Sequence, residues 1–344
     1  MKKMNKILAL GMAAVLTLGM TACSSNGSNS NNTSANNNQS NTEAAANSDA
    51  KYVVGICQLV QHDALDAATK GFKDSLTKEL GSDVTFDEQN ASGDTPTCST
   101  IVNTFVSKKV DLILANATAP LQAAAAATTD IPILGTSVTD YATALNISDW
   151  TGLTGRNISG TSDLAPLSEQ ANMLHELFPD AKNVGLIYCS AEANSEYQVS
   201  VITKELEKFN YTCTPYSFVD SNDIASIVQN AVDASDVLYV PTDNTAANNT
   251  EVINNIASEA GVPIIAGEEG ICKGCGVATL SISYYDLGYQ TGEMAAAILT
   301  GSKDVSEMEI QFAPAVTKKY NPTLCEKLNI TVPDDYEAID MSAE

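Results

Sequence analysis

A repeat constrains this chain more than any other feature. Val54-Gly55-Ile56-Cys57 matches Val184-Gly185-Leu186-Ile187, and each run is followed by a polar loop and a long helix-like stretch. Asp111-Leu112-Ile113-Leu114-Ala115 matches Asp236-Val237-Leu238-Tyr239-Val240, and Ile131-Pro132-Ile133-Leu134 matches Val262-Pro263-Ile264-Ile265. Segments of helical periodicity separate these short apolar runs. In 63–80, Leu65, Ala68, Phe72, Leu76 and Leu80 share one face. Short buried strands alternating with amphipathic helices predict parallel sheets covered by helices. The expected fold class is therefore α/β, with two doubly wound parallel-sheet lobes joined by a hinge.

The ends do not share this pattern. Residues 1–22 carry Lys2, Lys3 and Lys6, then an apolar run too short for a comfortable membrane span, and read as a secretory signal. Met20-Thr21-Ala22-Cys23 resembles a bacterial lipobox, with methionine where leucine is more usual. That resemblance implies lipidation of Cys23. Residues 23–50 are Ser, Asn, Ala and Thr with almost nothing apolar, the composition of a disordered tether. The N-terminal lobe is expected at 51–155 plus about 283–308, and the C-terminal lobe at 156–282 plus about 309–344. Contact with the membrane is expected through the lipid alone.

Charge excludes one class of partner. Without the three leader lysines, 15 basic residues face 42 acidic ones, a net charge of −27. Nucleic-acid binding needs a basic footprint, so no nucleic-acid partner is expected. Of the eight cysteines, Cys57 and Cys189 fall in strand-like runs and read as small buried hydrophobes. Cys272-Lys-Gly-Cys275 has redox-motif spacing but lacks a second pair or a histidine cluster, so it reads as a structurally incidental pair and not a metal site.

Ligands of open parallel sheets bind outside the carboxyl ends of the strands. Two such sheets facing each other place the site in the cleft between them. The repeat matches the strand-end residues in pairs: Gln58 with Tyr188, Thr118 with Asp243, and Ser137 with Glu268.

Five stretches in order carry a family resemblance: VGICQLVQHDALDAATKGFKDSL (54–76), the IP…TSVTD run (131–140), PTDNT (241–245), IIAGEEG (264–270) and SISYYDLGYQTGEMAAAIL (281–299). They resemble the ABC-transporter substrate-binding family that includes tryptophan- and phenylalanine-binding lipoproteins, over nearly all of 52–320. The resemblance implies a type I periplasmic-binding fold and hinge closure on a small ligand. It also implies delivery to an ABC permease driven by its ATPase, from the outer face of the cytoplasmic membrane, by a monomer.

An aromatic amino acid, the ligand this family suggests, needs an acceptor for its ammonium. Asp243 is the first candidate. Its structural alternative is a helix cap, a role that Asn244 could also fill. Glu268 and Asp140 are further acceptors; otherwise they are loop or turn carboxylates. The ligand carboxylate needs donors, and no basic side chain ends a strand. Helix N-termini at Thr118-Ala119 and Asn194-Ser195 can bind an anion through free N–H groups, together with the hydroxyls of Ser137 and Thr139. Gln58 and His62 follow the first strand; Tyr197 and Tyr284 could pack against a ring.

No nucleophile with a base, metal cluster or phosphate-cradling glycine loop is present, so neither an enzyme nor a cofactor is expected. A sugar or nucleoside ligand, or a ligand-sensing receptor role, is the alternative reading of the same fold.

Overall fold

The computed structural model describes residues 50–342. The expected signal peptide, the lipidation site Cys23 and the tether up to residue 49 lie outside the described residues. In chain order the elements are β1 (Tyr52–Gln58), α1 (Asp63–Leu80), β2 (Val84–Asn90), α2 (Thr95–Lys108), β3 (Leu112–Asn116), α3 (Thr118–Ala127), β4 (Ile133–Thr136), α4 (Tyr141–Ala144) and β5 (Ile158–Ser162). There follow α5 (Leu167–Leu177), β6 (Asn183–Cys189), α6 (Ala193–Glu207), β7 (Thr212–Phe218), α7 (Ile224–Val232), β8 (Val237–Val240), α8 (Asn244–Ala247), α9 (Thr250–Ala260), β9 (Ile264–Ala266), α10 (Glu269–Cys275) and β10 (Ala278–Ser281). The chain ends with α11 (Tyr284–Leu299), β11 (Gln311–Phe312), β12 (Thr317–Tyr320), α12 (Pro322–Lys327) and β13 (Glu337–Ala338).

Two sheets result. The first is ordered β11-β5-β4-β3-β1-β2 and the second β13-β12-β10-β9-β8-β6-β7. The repeat is visible as topology: β2-β1-β3-β4-β5 and β7-β6-β8-β9-β10 have the same order. Every pairing is parallel except β10 with β12. Each sheet buries an apolar layer on both faces, as doubly wound sheets require. In the first, β1 sends Val54 and Ile56 to the layer under α1 and α11, and Cys57 to the layer under α2 and α3.

The strand order reverses between β1 and β3, and again between β6 and β8. The crevices at these switch points lie where the loops after those four strands emerge. Their residues are Leu59–His62, Ala117-Thr118, Ser190–Glu192 and Thr242–Asn244.

Sheet membership corrects the expected lobe boundaries. Residues 158–162, expected in the C-terminal lobe, form β5 beside β4 in the first sheet. The segment from about 309, expected in the C-terminal lobe alone, supplies strands to both sheets: β11 pairs with β5, and β12 pairs with β10. The chain thus passes between sheets three times, at 163–166, 282–283 and 313–316. The helix α11 packs along α1 with almost no gap. A Cβ at Gly71 would stand 2.0 Å from the Tyr285 carbonyl oxygen, and one at Gly288 would stand 1.9 Å from that of Ala68. Among the described residues, no helix is long and apolar enough to cross a membrane.

Candidate functional site

Between the carboxyl ends of the two sheets lies a narrow cavity of about 10 Å³. The first sheet's side contributes His62, Leu65, Ser137 and Thr139; the second contributes Asn194, Thr242, Asp243, Asn244 and Glu268. Asp163 and Tyr284, from two of the three crossovers, complete it. The cavity is acidic: Asp163, Asp243 and Glu268 are all buried, and no lysine or arginine among the described residues lines it.

Local geometry explains how each carboxylate is held. Asp243 caps α8: one oxygen accepts from the Ala246 N–H at 2.8 Å, and the other from the Cys189 N–H at 2.6 Å. The Ser195 hydroxyl adds a further donor. Glu268 caps α10, accepting from the Gly270 N–H at 2.7 Å and from the Ile271 N–H. Asp163 differs from both. Its Oδ2 accepts from the Tyr284 hydroxyl at 2.9 Å, whereas its Oδ1 is buried with no partner among the described residues. The Ser137 hydroxyl, on a residue with φ of +55°, is likewise buried and unpartnered there. Buried polar atoms are nearly always hydrogen-bonded, so two orphans on one cavity set it apart as the candidate site.

Burial sets the protonation. It pushes Asp163 above the ordinary carboxylate range, against the opposing pull of the Tyr284 and Thr139 hydroxyls. It pushes Asp243 up to about 8, with Glu192 adding to the rise, and Glu268 up to about 7. Such acids keep their protons in the native state after the unfolded chain has released its own, so stability declines as pH rises between the two values. For Asp243 the window runs from 3.8 to about 8, and for Glu268 from 4.5 to about 7. The thermal midpoint of the ligand-free protein is therefore expected to fall from about pH 5 to about pH 8. Asp243→Asn should flatten that decline whatever its absolute stability; scanning calorimetry across pH checks both.

Most of the residues expected at the site are brought together: His62, Ser137, Thr139, Asn194, Asp243, Asn244, Glu268 and Tyr284 line the cavity. Thr118 and Ala119 line a wider outer space of about 270 Å³ that shares Asn194 and Asn244 with it. Ala117, the N-cap of α3, offers no side-chain cap, which leaves that helix end open toward the outer space. Asp243 lines the cavity with both oxygens already engaged by backbone N–H groups, so cap and lining coexist.

Four expected residues are not at the cavity. Gln58 is an internal strut: it donates to Asp66 at 2.6 Å and to the Val60 carbonyl at 2.9 Å, and accepts from Thr69 at 2.6 Å. Asp140 caps α4 through the Thr143 N–H at 2.7 Å. Ser195 supports Asp243 from behind, and Tyr197 is half-buried on α6 away from the cavity.

His62 holds the two sides together. Its Nε2 lies 3.2 Å from the Asn244 Oδ1 across the cleft, and burial lowers its pKa. Sequence reasoning missed Asp163 and Glu192. Glu192 takes the N–H groups of Asn244 at 3.0 Å and Thr245 at 2.8 Å, and so braces the start of α8. Asp163 directly follows β5, a strand without the apolar run that led the eye to Asp243, so no comparable signal marked it.

Comparison with known proteins agrees with this geometry. The family model described as "ABC transporter substrate binding protein" matches residues 53–342. A curated tyrosine-binding protein of Clostridioides difficile (strain R20291) is 38% identical over 315 residues, covering 90% of this chain and 88% of the relative. An ABC domain from Streptococcus pneumonia, solved in complex with L-Trp, overlaps with a TM-score of 0.80 at 28% identity, covering 84% of this chain and 100% of that one. A Clostridium difficile substrate-binding protein with adhesive properties, solved in its ligand-free open form, overlaps with a TM-score of 0.65 at 36% identity, covering 85% and 100%. Family model, relative and solved structures agree with the two-sheet fold: the chain belongs to the ABC transporter substrate-binding proteins, extracytoplasmic proteins that bind a solute and are not enzymes.

Proposed function

We propose that the chain binds an aromatic α-amino acid in the interlobe cavity and hands it to the permease of an ABC importer, while a lipid at Cys23 holds it to the outer face of the cytoplasmic membrane. The observation that carries the ligand assignment is the unpartnered Asp163 Oδ1 facing the same closed cavity as the unpartnered Ser137 hydroxyl. A buried carboxyl that gives up its proton demands a cation with hydrogens to donate, which an α-ammonium supplies. Ser137 and the open N-terminus of α3 supply donors for the carboxylate of the same ligand. The outer space, bordered by Leu59, Val60, Ala119 and Val219, offers apolar surface to a ring.

The overlap with the tryptophan-bound structure exceeds that with the open one despite lower sequence identity, which supports reading this arrangement as the closed state. Contacts from both lobes to one ligand favour closure.

Calorimetric titration tests the assignment. L-Tyr, L-Trp or L-Phe should bind, and the corresponding deaminated acid should bind at least tenfold more weakly. Binding of a sugar or nucleoside, with no binding of any amino acid, would overturn it. For the anchor, Cys23→Ser should move the protein from the membrane fraction to the soluble fraction; retention in the membrane would remove the lipid from the proposal.

A further inference from the structure

The cleft is well furnished for an ammonium and poorly furnished for a carboxylate. The inner cavity, about 10 Å³, has room for one water-sized group, which is the size of an ammonium head. The rest of a ligand must extend past Asn194 and Asn244 into the outer space of about 270 Å³. Among the described residues no lysine or arginine lines either space, and the outer one is lined by Glu192 and Asp220.

Backbone N–H groups at helix starts are the other usual receptors for an anion. Around this cleft the protein's own carboxylates take many of them. At α8, Asp243 accepts from the Ala246 N–H at 2.8 Å, and Glu192 accepts from the N–H groups of Asn244 at 3.0 Å and Thr245 at 2.8 Å. At α10, Glu268 accepts from the N–H groups of Gly270 at 2.7 Å and of Ile271. The helix α6 starts directly after Glu192 and carries Glu196 in its first turn. The start of α3 is open, but its third residue is Pro120, which has no N–H to offer. A ligand carboxylate in the outer space therefore meets uncharged donors only, close to the Glu192 carboxylate.

Resting on the assignment of the inner cavity to the ligand's ammonium, we infer that the same site takes aromatic amines without a carboxylate, such as tyramine, tryptamine and phenethylamine, as a second ligand class. Such an amine keeps the positive charge that Asp163 attracts. It also keeps the ring, which meets the apolar border formed by Leu59, Val60, Ala119 and Val219. What it lacks is a group that must shed its hydration beside an acid in exchange for neutral hydrogen bonds, so its loss changes affinity little.

Calorimetric titration of the full chain compares the tightest binder among L-Tyr, L-Trp and L-Phe with its own decarboxylated amine. The amine should bind within about tenfold of the amino acid, and an excess of it should block amino-acid binding. Amine binding weaker than that, or binding of both ligands at once, would overturn the inference. Asp163→Asn should weaken the amine as it weakens the amino acid. An amine affinity left unchanged by that substitution would assign the heat to the acidic surface and overturn the inference as well. The amino-acid reading is decided separately. If no amino acid binds, that reading fails, and amine binding that is weakened by Asp163→Asn still upholds the second ligand class. Binding of neither overturns both.

Discussion

Replacing Asp163 with Asn is expected to weaken binding of the proposed amino-acid ligand about a hundredfold or more, while leaving the ligand-free fold intact. Truncating one partner of a buried charge pair costs about 2–5 kcal/mol, and about 2.7 kcal/mol already corresponds to a hundredfold in Kd. Asn keeps the shape of the side chain and can still accept from the Tyr284 hydroxyl. What it loses is the negative charge at the one carboxylate oxygen of the cavity that no protein group satisfies. The same substitution removes a buried acid whose pKa is raised by desolvation, so the thermal midpoint of the ligand-free variant should match or exceed that of the parent near pH 8. Binding and stability then move in opposite directions, which separates a ligand role from a structural one. In the parent protein, affinity should fall as pH drops through the raised pKa of Asp163, because a protonated carboxyl no longer attracts an ammonium. Isothermal titration at several pH values reads both effects. Unchanged affinity in Asp163→Asn would remove this residue from the site.

The second large effect concerns stability alone. Gly288→Val is expected to cost about 3 kcal/mol or more, since overpacking of a tight interface costs about 1–3 kcal/mol even when neighbours yield. Here the obstacle is backbone: a Cβ would stand 1.9 Å from the Ala68 carbonyl oxygen. No rotamer change relieves that, so α1 and α11 must separate along the seam that covers the first sheet. Gly261→Asn provides the contrast. Gly261 has φ of +72° and ψ of +19°, the left-handed region, with nothing within 4 Å of a Cβ, and Asn tolerates such a backbone at a cost of about 1 kcal/mol or less. Urea denaturation of the two variants compares contact with conformation. Equal losses would refute the tight-seam account.

Much of this fold could be read from the repeat, and the reason is physical. A parallel strand buried on both faces is an apolar run, and β1, β3, β6 and β8 are all of that kind. The pairing of Thr118 with Asp243 followed, because both come after the third strand in identical sheet orders. β5 escaped notice because Ile158-Ser-Gly-Thr-Ser162 is small and polar, yet buried throughout. Its hydroxyls are satisfied by distant partners: Ser159 by the Met308 carbonyl at 2.8 Å, Thr161 by Thr291 at 2.8 Å, and Ser162 by the Thr139 carbonyl at 2.8 Å. Hydrophobic periodicity cannot register a strand whose burial depends on tertiary hydrogen bonds. Asp163, at its end, was lost with it. Gln58 failed in the opposite sense: its strand-end position was right, but Thr69 and Asp66 on α1 consume its amide before a ligand can.

The three passages between the sheets also bear on how the molecule can be made. Neither lobe is a continuous piece of chain. The first sheet gains its outermost strand only at residues 311–312, and the long helix that seals its lower face begins at residue 284. A growing polypeptide that has emerged as far as residue 280 carries a nearly complete second sheet but leaves Phe72, Leu76 and the rest of that face of α1 without their cover. The first lobe, although begun first, cannot be finished before residue 312, and the second still awaits β12 and β13. A chain of this design stays incompletely folded until almost all of it has been delivered, a useful property for a polypeptide that has to be threaded somewhere before it takes shape.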